Sequence, residues 1–155
     1  MLHYVYGQDE IIADFVTRMI PHANGRGFGK CKTIGVVNDD GHLIAGIVYH
    51  DYNPEAGVIM LAAAAIPKSR WLTRETIRRM YEYPFEQIGM QMIMQPTPAD
   101  NEPLLRQLAA LGFMFVSVPR MYGRERDGVL ALLTREAWLT MKFIRRPAVE
   151  MQEAA

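Results

Sequence analysis

Tyr49, His50, Asp51 and Tyr52 form the densest run of ionisable and aromatic side chains in the chain. A histidine or a carboxylate placed against a nucleophile can take its proton, and phenols can exchange one as well. Adjacent residues on a strand point to opposite faces, so Tyr49 and Asp51 share one side and His50 and Tyr52 the other. The four residues would suit the solvated end of a hairpin equally well, and both readings stand at this stage. A second cluster is Lys68-Ser69-Arg70-Trp71-Leu72-Thr73-Arg74, with three cations and two hydroxyls just before a helical pattern. Exposed N–H groups at a helix start attract an anion, so this segment either holds a phosphate or is a capped helix with solvated charges. Glu10 and Asp14, on the first helix, are weaker acid–base candidates.

Other residues resemble chemical motifs without meeting their requirements. Gly25-Arg26-Gly27-Phe28-Gly29-Lys30 is glycine-rich, but no Ser or Thr follows Lys30 and a strand pattern comes next, where a phosphate loop needs a helix. His3, His22, His42, His50 and Cys31 lack ligand spacing, so no metal site is expected.

The elements that would carry these clusters follow from apolar periodicity. His3 to Tyr6 is a short strand. Asp9 is placed to cap a helix whose apolar positions are Ile11, Ile12, Phe15, Val16, Met19 and Ile20, at helical spacing, and Pro21 ends it. Lys32 to Asn38 and His42 to His50 pair through an Asp-Gly turn. Val58 to Ile66 is a continuous apolar run, as a strand buried on both faces requires. Thr73 to Ile88 is helical, with a kink or break at Pro84. Met90 to Gln95 is a strand and Pro96-Thr97-Pro98 a loop. Asp100 or Asn101 then caps a helix whose Leu104, Leu105, Leu108 and Leu111 lie on one face, and Gly112 ends it. Strands near Phe113 to Met121 and Val129 to Leu133 flank a turn at Gly123 to Gly128. A short helix over Trp138 to Ile144 completes the order. The pattern predicts an α/β (α+β) chain with a mixed, mostly antiparallel sheet. A single unit over 1–139 and a helical extension with a frayed tail over 140–155 are expected.

Composition limits the function. The 155 residues carry 17 basic and 17 acidic side chains, which argues against a general nucleic-acid binder. Cys31 is the only cysteine, which suits a reducing cytoplasm. No apolar run approaches the ~20 residues of a membrane helix, and the first residues lack the pattern of a secretion signal.

Four motifs in order, Trp71-Leu72-Thr73-Arg74, Tyr83-Pro84-Phe85, Asn101…Leu111-Gly112-Phe113 and Trp138, together with the element order, resemble the GNAT N-acetyltransferase superfamily. They are most similar to its small phage and prophage type. The resemblance implies a sheet of six to seven strands with the fourth and fifth splayed apart. It implies acetyl-coenzyme A as donor, a small-molecule or peptide amine as acceptor, and direct transfer in a ternary complex. The donor's arm would lie against the backbone of Leu61, Ala62 and Ala63, in a run of alanines that also suits tight packing alone. Its phosphates would meet Lys68, Ser69, Arg70, Thr73 and Arg74, and Asn101 would also contact it. His50 or Asp51 would be the base, with Tyr49, Tyr122 or Ser117 as the acid. Homodimers are common in the superfamily, and the Trp138 region offers a contact. Two departures stand out: the 68–74 loop lacks the usual glycines, and Leu108 occupies the position of the usual acidic tyrosine. Both suit a second expectation, a catalytically degenerate binding or phage accessory protein of the same fold.

Overall fold

The computed structural model describes residues 1–20 and 27–141. Its centre is a seven-stranded sheet in the order β1-β2-β3-β4-β5-β7-β6. The strands are β1 (His3–Tyr6), β2 (Cys31–Val37), β3 (Leu43–Asn53), β4 (Val58–Ala65), β5 (Met92–Pro98), β6 (Met114–Gly123) and β7 (Arg126–Thr134). Among the described residues four α-helices accompany them: α1 (Asp9–Met19), α2 (Arg74–Glu82), α3 (Glu102–Ala110) and α4 (Arg135–Leu139). The architecture is the expected mixed sheet. Every neighbouring pair is antiparallel except β4–β5.

The parallel pair is short. Val58 faces Met92, Ile59 faces Ile93 and Met60 faces Met94, and the pairing stops there. Beyond it β4 stays with β3 as far as Ala65, while β5 stays with β7 as far as Pro98. The two strands therefore part after Met60 and Met94 and leave a V-shaped opening between them.

α1 covers one face of the sheet. Gly35 and Gly46 pair across β2 and β3 directly beneath it. A Cβ on Gly46 would come within 2.7 Å of Val16, and one on Gly35 within 2.6 Å of Ile12. The two glycines form the trough in which α1 lies, the close approach for which a strand accepts glycine. Gly46→Ala should destabilise the protein by about 1–3 kcal/mol through overpacking, measured by urea unfolding; an unchanged midpoint would show that α1 rides free of the trough. The other face carries the main core, in which Ile47, Ile59 and Ile93 of the sheet meet Ile77 and Met80 of α2 and Leu108 of α3.

Several local expectations need correction. Asp9 does not cap α1: it is the first helical residue, and its Oδ1 accepts bonds from the Thr33 N–H and hydroxyl, both at 2.9 Å. The carboxylate is spent on tying helix to sheet. The central helix starts one residue later, at Arg74, with Thr73 as cap. Pro84 produces a π-helical turn over Tyr83–Gln87, closed by the Ile88 N–H donating to Tyr83 O at 3.2 Å. A proline has no N–H to give the normal ladder, and the wider turn absorbs the loss. The last helix spans Arg135–Leu139, capped by Thr134, and so begins before Trp138 and ends before Thr140; residues 142–144 of its expected span, and most of the 140–155 tail, lie outside the described residues. The turn near 123–128 is tighter than expected, because Gly123 already pairs with Arg126. No described helix is long and apolar enough to cross a membrane.

Candidate active site

The V-shaped opening forms a cavity of about 780 Å³. Leu61 to Ala65 line it from β4, Gln95 to Pro98 from β5, Asn101 and Leu104 from α3, and His50, Tyr122 and Arg126 from their strands. The alanine run leaves the wall of β4 low, and among the described residues no strand pairs with this edge of β4 beyond Met60. Its backbone N–H and C=O groups are thus available to a ligand.

His50 pairs with Met60, the last β4 residue joined to β5, and so stands at the vertex of the V. Its Nδ1 lies 2.5 Å from Asp51 Oδ2. Simple alternation puts these side chains on opposite faces, and the structure corrects this. Asp51 takes a left-handed backbone (φ 51°) where the β3–β4 register breaks between His50 and Asn53. That turn brings the carboxylate back beside the ring. Left-handed backbone is unfavourable for a residue with a Cβ and persists where the surroundings enforce it. A carboxylate at Nδ1 holds the proton there and leaves the Nε2 lone pair as the basic site. The ring is 4.9 Å from that of Phe28, which also lines the cavity.

The other candidates divide. Tyr49 is only 1% exposed and belongs to the main core. Its hydroxyl donates to Met80 O at 2.5 Å, and burial raises its pKa well above the ordinary phenol value. Its place is on the face opposite His50, so the structure removes it from the acid–base candidates. Tyr52 is exposed, and Ser117 is exposed and is no part of the cavity wall. Tyr122 does line the cavity. Burial raises its pKa, against a smaller opposite pull from Arg126, so it stays protonated at neutral pH. Gly128 makes room for it, since a Cβ there would lie 2.8 Å from the Tyr122 ring. Beside it Arg126 binds Asp100 through two bonds of 3.1 Å, and that guanidinium lowers the Asp100 pKa.

Leu61, Ala62, Ala63 and Asn101 share the cavity with His50. The Asn101 side chain caps α3 by accepting from the Leu104 N–H at 3.4 Å. Leu108, at the position of the usual tyrosine, is buried in the core and does not reach the cavity. The 68–74 loop continues from the end of β4 but is not part of the wall. Its hydroxyls are engaged locally: Ser69 Oγ donates to Ile66 O at 2.6 Å, and Thr73 Oγ1 accepts from the Thr76 N–H at 3.1 Å. Trp71 packs against the cluster of Val36, Ile44 and Ala45, and Lys68 supplies the left-handed residue (φ 65°) of a loop without glycine. Glu75 binds both Arg78 and Arg79, whereas Lys68, Arg70 and Arg74 enter no ion pair among the described residues. These three cations remain to meet an anion at the head of α2.

The sequence reading missed Gln95 and the Arg126–Asp100 pair. A glutamine directly after the apolar run Met92-Ile93-Met94 was a visible signal; the pair depends on a contact distant in sequence.

No family profile matches the chain, and no curated protein does. Solved structures do. A variant of the spermidine/spermine N-acetyltransferase SpeG from Vibrio cholerae aligns over 90% of this chain and 98% of its own, with a TM-score of 0.73 and 12% identity. A structure described as a probable acetyltransferase aligns over 71% of this chain and 65% of its own, with a TM-score of 0.61 and 16% identity. The chain therefore has the fold of GNAT acetyltransferases.

Proposed function

We propose that this protein is an N-acetyltransferase that moves an acetyl group from acetyl-coenzyme A to a primary amine by direct attack. The observation that carries the reading is the Asp51-bound His50 at the vertex of the splayed β4–β5 pair. The cavity suits the donor: an unpaired edge of β4 walled by alanines, then three cations at the head of α2. The donor supplies an acetyl group activated by a thiol that leaves readily. An alkylamine has a pKa near ~10 and is mostly protonated at neutral pH, so its proton must go before the nitrogen can attack. The ammonium first gives one proton to solvent, and His50 Nε2 takes the second as nitrogen bonds to the carbonyl carbon. Backbone N–H groups of Leu61 to Ala63 polarise that carbonyl. Tyr122 gives its proton to the sulfur as the C–S bond breaks; His50 then releases its proton to solvent, and Tyr122 regains one from there. The products are an N-acetyl amine and the free thiol.

The polyamine named for the Vibrio proteins does not transfer directly. Asp100, the carboxylate in the cavity wall, and Asp51, beside His50, are each bound to a partner, so the described wall offers a polycation little spare negative charge. The Trp71 to Arg74 and Tyr83 to Phe85 motifs support a place among the small phage-type members. Self-association is supported by a Vibrio neighbour that is a dodecamer and by the exposed Met114, Phe115 and Val116 on the edge strand β6.

Acetyl-coenzyme A should raise the thermal midpoint, by the equivalent of about 2.7 kcal/mol at one hundred times its Kd, and a panel of amines should release thiol. No shift at millimolar donor would overturn the reading. The buried Leu108 favours one rival, a binding protein of the same fold. Donor binding with no thiol release from any amine would establish it.

A further inference from the structure

Gln95 is the first β5 residue beyond the last β4–β5 pair. Its backbone is held by pairing with Ala131 of β7. The side chain is 7% exposed and forms part of the cavity wall. Its Oε1 is buried without a hydrogen-bond partner. Buried amides in native proteins are almost always bonded, and leaving one unbonded destabilises the fold. Leucine or methionine would fill the position without that penalty, so the lone amide calls for an outside partner.

The geometry indicates which partner. Alternation along β5 places Gln95 with Ile93 and Thr97, and Ile93 faces the core under α2 and α3. His50 lies on the other face, toward α1, four residues along β3 from Gly46 and its contact with Val16. A ligand group that meets Gln95 therefore approaches from the α2–α3 side, the side of the cations at the head of α2. A carboxamide presents a donor and an acceptor side by side, and rotation about its last torsion exchanges them. The group that matches both is another amide. The arm of an acyl-coenzyme A carries two secondary amides between its nucleotide and its thioester.

We infer that Gln95 binds an amide of the acyl donor's arm at the vertex of the V and so fixes how far the thioester advances toward His50. This rests on the donor reading given above. It makes Gln95 a binding and positioning residue that exchanges no proton.

The test compares the full-length chain with Gln95→Leu and Gln95→Met. Calorimetry would measure coenzyme A and, separately, 3′-phosphoadenosine 5′-diphosphate, the same nucleotide without the arm. Both variants should lose about tenfold in affinity for coenzyme A, keep their affinity for the armless nucleotide, and show a ligand-free thermal midpoint equal to or above that of the unaltered chain. Unchanged coenzyme A affinity, an equal loss for both ligands, a lowered ligand-free midpoint in both variants, or an effect confined to the KM of the amine would each overturn the inference. Failure of the unaltered chain to bind coenzyme A would overturn the donor reading itself and this inference with it, a result distinct from all the others.

Discussion

Replacing His50 with alanine should slow acetyl transfer by roughly 10²–10⁴-fold, the usual worth of a positioned base, while donor affinity stays the same. The expectation follows from its place. The backbone of His50 pairs across to the last β4 residue joined to β5, and its Nδ1 is bound to Asp51. Asp51→Asn should have a smaller effect in the same direction, because an amide can hold the ring but no longer fixes the proton on Nδ1. Steady-state rates with saturating donor, together with calorimetry of donor binding, separate chemistry from affinity. If His50→Ala keeps the full rate, the proton leaves by another route and the dyad is only a strand-end contact. If it loses donor binding in proportion to rate, the ring shapes the cavity and does not act as a base.

The largest effect on stability should come from Phe85→Ala, about 3–5 kcal/mol by analogy with other buried phenylalanines. Phe85 is fully buried in the π-helical turn. Its ring stacks on Trp138 of α4 at 5.1 Å, and its carbonyl accepts a bond from Arg135. Truncation would leave a void and loosen α4 at the same time. Such a loss is a large fraction of the ~5–15 kcal/mol that holds a domain together, so chemical denaturation would show it clearly. Phe85→Leu should restore much of it by keeping volume in the site. A loss below about 1 kcal/mol for the alanine variant would mean that the turn collapses onto the gap, and that α4 owes little to this contact.

The parts legible in the sequence are those whose causes are local. Asn101, Pro103, Leu104, Leu108 and Gly112 specify α3 from within its own span, and the helix forms over Glu102–Ala110 with Asn101 as cap and Gly112 left-handed at φ 99°. Pro84 announced a disruption, and it takes the form of a π turn over Tyr83–Gln87. The misread residues answer to distant partners. Asp9 has the composition of a cap, yet it serves Thr33 in another element. Asp51 obeys strand alternation only as long as the strand is regular, and the β3–β4 register breaks at that point. Tyr49 matched the chemistry sought, but its face was decided by Met80 and the core. For Gln95, residue type gave a hint that only the parting of β4 from β5 makes meaningful.

The three-pair seam between β4 and β5 also has a mechanical meaning. In backbone terms the sheet is two antiparallel plates, β1 to β4 and β5 with β7 and β6, stitched together over a distance of three residues. The stitching ends where the candidate base and Gln95 stand. A molecule lodged in the gap would extend the stitch along both plates, acting as a removable rung in a ladder whose upper rungs are missing. Occupancy would then be felt across the whole sheet as stiffness, well beyond the atoms it touches, and the plates would have their greatest freedom to tilt when the gap is empty.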